Sequence, residues 1–462
     1  MSDSYDIIFL GGGPAGYQGA IRAAQLGAKV AVIEEKFLGG ICLNWGCIPT
    51  KTVRASAEAA RTMRRAKEFG FKPVEVSPDI ATIMLRKERI VSGLRASVGR
   101  LFQANRIALV EGRGRLIGGG KIEVKKDGQT ELLEAPKIVI ATGSRPANLP
   151  VFPPSPRVFP ADEMLNISWL PSHLLVVGGG MIGVEMAAVF RELGSQVTIV
   201  EIKDRILPAE DAEMAAYLQG VLKRRKIEII CSASIETVSE SERGVVVTLN
   251  NGKELLPDTV LLAVGRRLNT DVIGLEELGV AMDEGRIIVD ENLQTNLPGI
   301  AAAGDVIGGW LLAHVAFAEG MCAAENALGR GAIMDYRVIP RCAFTLPEYG
   351  AVGLSEEEAV KHYPVKTARF PFKSLGMGQA MGEPEGLVKI ITHAQTDQIL
   401  GAHIIGPHAS DLIGEIALAM KAGLPSQVIM DTIHSHPTLS EAVLEVCQAL
   451  HGQAIHMPPD VK

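Results

Sequence analysis

The chain has 462 residues, of which 47% are hydrophobic and 21% charged, a composition typical of a folded protein of about three domains. Its 46 lysines and arginines face 53 aspartates and glutamates, and the net charge of −7 speaks against a nucleic-acid-binding surface. No run of about 18 apolar residues is present, and the N-terminus lacks the features of a signal or transit peptide, so we expect a cytoplasmic protein without a membrane span.

The first predicted elements form a strand–turn–helix–strand unit. A strand over residues 6–10 runs into a glycine-rich turn, a helical stretch and a second strand that ends at Glu34. Glycines let the backbone approach a pyrophosphate at a helix N-terminus, and a carboxylate at the end of the second strand can bind a ribose diol. The unit therefore predicts a dinucleotide site, whose glycines are Gly11, Gly13 and Gly16.

The same pattern returns over residues 174–201. Its turn contains Gly178, Gly180 and Gly183, and Glu201 ends its second strand. Because Glu201 would accept a hydrogen bond from a ribose 2′-hydroxyl and repel a 2′-phosphate, the pattern favours NAD over NADP. Two such sites imply two redox cofactors that act in series, a bound flavin and a nicotinamide.

The stretches between and after these units divide the chain into domains. A proline-rich segment over residues 145–160 separates the two units, and a predicted antiparallel hairpin over residues 385–406 indicates an α+β module near the C-terminus. We expect an α/β fold with two Rossmann-like dinucleotide-binding domains and an α+β C-terminal domain. The predicted domains are 1–147, 148–270, a central domain 271–342 that completes the first site, and an interface domain 343–462.

Two of the six cysteines lie close together, Cys42 and Cys47, in the run LGGICLNWGCIPTK. Their spacing does not fit a zinc pair and no second pair stands elsewhere, so we expect no metal site. Six cysteines are also too few for a disulfide scaffold in a chain of this length. An isolated close pair is typical of a redox-active disulfide, with two inert thiols as the alternative.

The run GGxCxNxGCxPxK within this segment resembles the flavin-dependent, class I pyridine nucleotide–disulfide oxidoreductases. The resemblance covers essentially the whole chain, with matching segments ATGS at 141–144, AAAGDV at 301–306 and LLAH at 311–314. The run HSHPTLSEAV at 434–443 resembles the branch of that family that oxidises dihydrolipoamide. The resemblance implies FAD and NAD as cofactors and a dimerisation domain at the C-terminus.

The resemblance also implies roles around the cysteine pair. Cys42 would be the interchange thiol that the substrate reaches, and Cys47 the charge-transfer thiol beside the flavin. Lys51, one helical turn after Cys47, would lie near the flavin N5 with Glu185 as its partner. Arg54 follows on the same predicted helix, and we expect a solvated helix face there, with a place along the substrate channel as the alternative.

A histidine and a glutamate would complete the site. A thiolate attacks a disulfide and a thiol does not, so the substrate must lose a proton, and His436 is the residue that the resemblance assigns to this step. Glu441 would accept a hydrogen bond from the other ring nitrogen. In the family both act on the cysteine pair of the other subunit, which implies a homodimer with shared active sites.

The resemblance further implies a set of cofactor contacts. For FAD the residues are Gly11, Gly13, Gly16, Glu34, Lys51, Gly114, Thr142, Gly143, Ser144, Asp305, Leu312, Ala313 and His314. For NAD they are Gly178, Gly180, Gly183, Glu185, Glu201, Ile235 and Gly265.

The implied activity is oxidation of protein-bound dihydrolipoamide to lipoamide through a Cys42–Cys47 disulfide and FAD, with reduction of NAD+ to NADH. The implied partner is the dihydrolipoyl domain of a 2-oxo acid dehydrogenase or glycine cleavage complex. The alternatives are a glutathione- or mercuric-reductase-like enzyme and a redox-silent flavoprotein scaffold. Glu201 disfavours the glutathione-reductase-like enzyme. The lone Cys447 disfavours the mercuric-reductase-like enzyme, which should carry a vicinal pair of cysteines near the C-terminus.

Overall fold

Five parallel strands form the centre of the first dinucleotide-binding domain. In this computed structural model, which describes residues 4–242 and 244–457, they lie in the order Ile300–Ala302, Ile138–Ile140, Ile7–Leu10, Val30–Glu34 and Ala108–Glu111. The strand Ile7–Leu10 is buried at every residue, as expected for a parallel strand whose sheet is covered on both faces. The first strand of this order comes from the predicted central domain, so two separate stretches of chain build the sheet.

Two helices, Pro14–Gln25 and Ala313–Ala327, pack closely against each other beside this sheet. A Cβ atom on Gly320 would lie 2.0 Å from the carbonyl oxygen of Ala15, and one on Gly19 would lie 2.6 Å from that of Gly320, so neither position accepts a larger residue without a shift. The remaining helices of this half are Gly40–Asn44, Cys47–Arg64, Ile80–Ala104 and Leu275–Leu278, with short 3-10 turns at Ala66–Phe69 and Asp305–Ile307. Its antiparallel strands are Arg113–Gly118, Lys121–Lys126, Gln129–Glu134, Met282–Asp283 and Arg286–Ile287.

The second dinucleotide-binding domain repeats this architecture. Its parallel sheet has the order Ile227–Ile230, Gln196–Val200, His173–Val177, Thr259–Leu262 and Val158–Pro160. Its helices are Met181–Leu193 and Ala212–Arg224, with a 3-10 turn at Met164–Asn166 and an antiparallel sheet of Ile235–Ser241, Gly244–Leu249 and Glu254–Leu255. The antiparallel pair Ser144–Pro146 and Arg266–Leu268 forms the crossing between the two domains.

The C-terminal domain is an antiparallel sheet with helices, which is the predicted α+β arrangement. The strand order is Arg341–Ala343, Glu348–Gly353, Ile399–Gly406, Leu387–His393 and Val365–Pro371, and the predicted hairpin is the pair of the third and fourth strands. The helices are Glu356–His362, Gly376–Ala380, Ala409–Lys421, Ser426–Asp431 and Glu441–Leu450, with a 3-10 turn at Phe372–Ser374. None of the helices in the described part of the chain has both the length and the hydropathy needed to cross a membrane.

Buried ion pairs fasten the C-terminal domain to the second domain. Lys389, only 1% exposed, contacts Asp211 at 2.8 Å, and Arg341 contacts Glu210 at 2.9 Å. The hydroxyl of Tyr349 also donates to Glu210 at 2.9 Å. Removing one partner of such a buried pair costs about 3–5 kcal/mol because the other charge is left without compensation. The two domains are therefore held in a defined orientation.

Candidate active site

Two of the three glycines in each nucleotide-binding turn are required by the backbone. Gly11 and Gly178 have φ values of 111° and 108°, in the left-handed region that favours glycine. A Cβ on Gly16 would lie 1.8 Å from the carbonyl oxygen of Gly11, and one on Gly183 would lie 1.9 Å from that of Gly178. Each helix can therefore pack onto its turn only with glycine at that position.

The middle glycines face open space instead. Among the described residues no atom lies within 4 Å of a Cβ built on Gly180, and the nearest to one on Gly13 is the Gly40 Cα at 3.8 Å. Each stands at the N-cap of its helix, Pro14–Gln25 or Met181–Leu193, and neither cap has a side-chain hydrogen bond. Helix N–H groups with an open approach suit a diphosphate, so both turns fit a dinucleotide.

A carboxylate stands beside each turn in the same geometry. Glu34 accepts the N–H of Gly12 at 2.7 Å, Glu201 accepts the N–H of Gly179 at 2.6 Å, and each accepts a second N–H two residues downstream. Burial raises the pKa of Glu34, and these N–H groups partly offset that effect. Both side chains are thus held at the strand end where the ribose of a bound dinucleotide lies.

The ATGS segment is tied to the crossing strand of the second domain. Ser144 Oγ donates to Asp305 at 2.5 Å and accepts from Arg266 Nε at 2.7 Å, while Thr142 and Asn269 exchange two hydrogen bonds at 2.8 and 2.9 Å. The other carboxylate oxygen of Asp305 has no hydrogen-bond partner among the described residues, and it is therefore available to the ribityl chain of a flavin. Sequence reasoning missed Arg266 and Asn269, because each is more than 120 residues along the chain from its partner, Ser144 or Thr142.

Sequence reasoning also missed Glu319, a carboxyl group buried behind Asp305. It accepts the N–H of Gly304 at 2.7 Å and the hydroxyl of Tyr336 at 2.9 Å. Burial raises the pKa of Glu319 to about 7, against the opposing effect of these two donors. It holds Gly304, whose φ is 80°, and thereby the turn that presents Asp305.

Cys47 is the first residue of the helix Cys47–Arg64, and Cys42 lies on the short helix Gly40–Asn44 before it. Both are free thiols in the structure. The hydrogen bond that the Cys42 thiol donates lowers the pKa of Cys47; burial opposes this and the Lys51 ammonium adds to it. The same hydrogen bond, followed by burial, raises the pKa of Cys42. Of the two thiols, Cys47 is thus the one whose pKa is lowered and the one that ionises more readily.

Lys51 links the cysteines to the second dinucleotide-binding domain. Its Nζ donates to Glu185 at 2.9 Å and lies 4.1 Å from the centre of the Phe344 ring. Glu185, 7% exposed, also accepts the backbone N–H of Phe344 at 2.8 Å. Three domains therefore meet at this one lysine.

His436 and Glu441 form a second cluster, on the C-terminal domain. Nδ1 of His436 lies 2.8 Å from Glu441, whose other oxygen accepts the N–H of Thr438 at 2.8 Å. Burial raises the pKa of Glu441, but the hydrogen bonds from His436 and Thr438 bring it below its ordinary value. The ring is 79% exposed, and its Nε2 has no partner in the described part of the chain. A histidine held by one nitrogen and free at the other suits proton transfer.

The neighbouring His434 has a different setting. Its Nδ1 lies 2.9 Å from the carbonyl oxygen of Thr432 and its Nε2 lies 2.9 Å from Glu415. Both nitrogens are thus engaged, and the side chain is 5% exposed. This is the geometry of a structural histidine.

One chain does not bring the histidine and the cysteines together. Within residues 4–242 and 244–457, no hydrogen bond or ion pair joins His436 to Cys42 or Cys47. The C-terminal domain exposes Leu418, Ile433 and Ile455 by 71%, 97% and 74%. These side chains are available for a contact with a second protein chain.

Comparisons with known proteins cover nearly the whole chain. Residues 5–320 match the family model described as pyridine nucleotide-disulphide oxidoreductase, and residues 339–447 match its dimerisation domain. Dihydrolipoyl dehydrogenase from Chlamydia pneumoniae is 41% identical over 462 residues, which are 99% of this chain and 100% of the relative.

The chain belongs to the pyridine nucleotide–disulphide oxidoreductase family.

Solved structures of family members superpose closely on this oxidoreductase. LpdA from Mycobacterium tuberculosis has a TM-score of 0.91 at 31% identity and covers 96% of this chain and 99% of its own. The HOCl-induced flavoprotein disulfide reductase RclA from Escherichia coli has a TM-score of 0.87 at 29% identity, with the same coverage. The predicted family, fold class and cofactors, FAD and NAD, are confirmed.

The other cofactor residues expected from the sequence lie near the two dinucleotide sites or in the strands beside them. Gly114 lies in a strand that packs on Leu10 and Ile33, where a Cβ would be 2.4 Å from the Leu10 side chain.

Leu312 is the N-cap of the helix Ala313–Ala327, which Ala313 begins, and His314 Nε2 lies 2.9 Å from the carbonyl oxygen of Pro340. Gly143 and Gly265 have φ values of 69° and 112° with open space around them, and Ile235 begins the strand Ile235–Ser241. Their cofactor roles stay predictions.

The expectation of a solvated helix face at Arg54 is wrong. The side chain is only 13% exposed and contacts Glu348 of the C-terminal domain at 2.8 Å. It also contacts Glu58, one turn on, at 2.8 Å. The sequence pattern missed this because Glu348 is 294 residues away.

Glu201, at the end of the strand Gln196–Val200, allows a test of nucleotide preference. We expect Glu201→Ala to lower kcat/KM for NAD+ by about 10- to 100-fold, because hydrogen bonds to charged groups contribute about 1.5–3 kcal/mol. The value for NADP+ should stay the same or rise, since the repulsion of a 2′-phosphate is removed. Steady-state rates with both nucleotides measure this. Equal losses with the two nucleotides would contradict a role of Glu201 at the ribose.

Proposed function

We propose that this oxidoreductase oxidises dihydrolipoamide to lipoamide with NAD+, as an NAD-dependent dihydrolipoyl dehydrogenase. The observation that carries the proposal is the contact of Lys51 with Glu185 at 2.9 Å. Lys51 lies one helical turn after Cys47, and the contact therefore joins the helix of the dithiol in the first dinucleotide-binding domain to the second. The curated relatives named dihydrolipoyl dehydrogenase, at about 40% identity over the full chain, support it.

The chain's own groups account for the dithiol step. The partner subunit's His436 takes a proton from one substrate thiol, and the resulting thiolate attacks Sγ of Cys42 in the oxidised pair. The Cys42–Cys47 bond breaks, and Cys47 leaves as the thiolate that Lys51 stabilises. The second substrate thiol then displaces Cys42 and closes the lipoamide disulfide. FAD, when bound, carries the electron pair from the reduced cysteines to NAD+.

The exposed apolar residues of the C-terminal domain and the family's dimerisation domain support a homodimer. In such a dimer His436 and Glu441 would serve the partner's cysteines, which explains why one chain separates them. We further propose that the substrate is the dihydrolipoyl group on the lipoyl domain of a 2-oxo acid dehydrogenase or glycine cleavage complex, in the cytoplasm.

The alternatives have less support in the structure. A reductase that uses NADPH would need a cation in place of Glu201, whose carboxylate accepts two backbone N–H groups. A mercuric-reductase-like enzyme would need an accessible C-terminal thiol pair, whereas Cys447 is fully buried. A redox-silent scaffold has no use for a lowered pKa at Cys47.

An anaerobic steady-state assay tests the proposal. The purified flavoprotein is given dihydrolipoamide with NAD+, and in a parallel assay glutathione disulfide with NADPH. We expect rapid NADH formation in the first and little turnover in the second. Slow NADH formation by a protein that retains its flavin, or faster turnover in the second assay, would overturn the proposal.

A further inference from the structure

The helix that carries Cys47 and Lys51 also carries Arg54, whose contacts the dithiol reaction does not explain. Arg54 donates to Glu348 at 2.8 Å, and both side chains are largely buried, at 13% and 9% exposure. Glu348 also accepts the N–H of Ser410 at 3.0 Å and its hydroxyl at 2.7 Å. The other ion-pair partner of Arg54, Glu58, is 41% exposed, and its contribution is therefore small.

Phe344 connects Arg54 to Lys51. The centre of its ring lies 4.1 Å from the Lys51 Nζ and 5.7 Å from the Arg54 Cζ. Its backbone N–H donates to Glu185, the partner of Lys51. Two cations thus contact one aromatic ring, and each is paired with its own buried carboxylate.

The carboxylates of Glu348 and Glu185 both act electrostatically on Cys342, as does Lys51. The pKa of Cys342 is raised to about 12, first by burial and then by the charges of Glu348 and Glu185, while the charge of Lys51 acts in the opposite direction. Glu348 and Glu185 are therefore both within electrostatic range of the Lys51 environment. If Arg54 were absent, Glu348 would be a buried carboxylate with only the two Ser410 donors, and it would attract the Lys51 ammonium.

We propose that Arg54 is a positioning residue that neutralises Glu348 and, through Phe344, keeps Lys51 on Glu185 and beside the Cys47 thiolate. The groups that act on the Cys47 thiol are Cys42, Lys51 and Glu185. Arg54 reaches the thiolate only through Lys51. The inference rests on the proposed function for the redox role of Cys47, but its test needs no dithiol substrate.

The test follows the long-wavelength absorbance that the Cys47 thiolate produces with the flavin in the two-electron-reduced holoprotein, as a function of pH. In Arg54→Met the midpoint should rise by about 0.5 to 1 pH unit, because Lys51 spends less time at the thiolate. Arg54→Lys keeps the charge, and its midpoint should stay within about 0.3 pH unit of that of the unchanged protein.

A matched control comes from the same helix. Arg61 contacts Glu383 of the same C-terminal domain at 2.8 Å, with 19% and 22% exposure, but lies well beyond Lys51. Arg61→Met breaks an interdomain ion pair of the same length, although Arg65 still contacts Glu383 at 2.6 Å, and it should leave the Cys47 profile unchanged. The double variant Arg54→Met/Glu348→Gln removes the uncompensated carboxylate and should restore the profile.

Each outcome decides the proposal. A raised midpoint in Arg54→Met, an unchanged midpoint in Arg61→Met and a restored midpoint in the double variant together support it. An unchanged midpoint in Arg54→Met would overturn it, as would equal shifts in the two single methionine variants, equal shifts in Arg54→Lys and Arg54→Met, or a double variant whose midpoint stays raised. Absence of dihydrolipoamide oxidation in the unchanged protein, with these midpoints as expected, would speak against the proposed function alone.

Discussion

Replacement of Cys47 by serine will abolish dihydrolipoamide oxidation. We expect a loss of at least about 1,000-fold in kcat, since a covalent nucleophile or leaving group that cannot be replaced usually accounts for this much. Serine cannot form the disulfide, and its hydroxyl does not ionise near neutral pH in response to Cys42 and Lys51. The measurement is NADH formation from dihydrolipoamide and NAD+ at saturating concentrations.

The control for this variant is Cys231→Ser. Cys231 lies in the second domain, where its Sγ contacts only Gln219, at 3.6 Å, among the hydrogen-bond partners in the described chain. We expect activity within about twofold of the unchanged protein, since Cys231 lies in a loop and the exchange of a thiol for a hydroxyl there is a small change. Residual turnover of more than a few per cent in Cys47→Ser would contradict the assignment of Cys47.

The second large effect is expected at His436. A positioned general base contributes about 10²- to 10⁴-fold, so His436→Ala should lower kcat/KM for dihydrolipoamide by that factor. Glu441→Gln keeps an acceptor for Nδ1 but removes the charge that stabilises the protonated ring, and we expect a smaller loss of about tenfold. The rate of cysteine reduction by dihydrolipoamide, followed by stopped-flow absorbance, measures both.

The pH dependence of this step separates the two residues. Because the pKa of Glu441 is below its ordinary value, its carboxylate stays ionised across the neutral range. A fall in dithiol oxidation on the acid side of neutral should therefore not come from Glu441. Such an acid limb should be absent in His436→Ala and present in Glu441→Gln. His434→Gln is the control, because both nitrogens of His434 are already engaged; a loss there as large as in His436→Ala would contradict the assignment.

The sequence was sufficient to predict the parts of the site that are local. The backbone geometry of each nucleotide-binding turn requires two glycines only five residues apart, Gly11 with Gly16 and Gly178 with Gly183. The same pattern therefore appears twice in the sequence. The Cys42–Cys47 pair is local as well. Such features combine turn, helix and strand in one short segment, so pattern and propensity are enough to predict them.

The long-range contacts were not predictable in this way. Arg266 on Ser144, Glu319 on Gly304 and Glu348 on Arg54 each join segments that meet only after folding. An isolated glutamate or arginine is most often a solvated residue, and only burial shows otherwise. The Lys51–Glu185 contact was expected because the family resemblance supplied it, while no periodicity in the chain points to it.

Mixed dimers test the central claim, a dithiol site shared between two subunits, most directly. Neither Cys47→Ser nor His436→Ala dimers should oxidise dihydrolipoamide appreciably. After dissociation and reassembly of an equal mixture, half of the dimers pair the two variants, and each of these has one site with both cysteines and the partner's His436. The account predicts recovery of about one quarter of the unmodified activity. No recovery, with mixed dimers demonstrated by mass spectrometry, would place the histidine and the cysteines in the same subunit and contradict it.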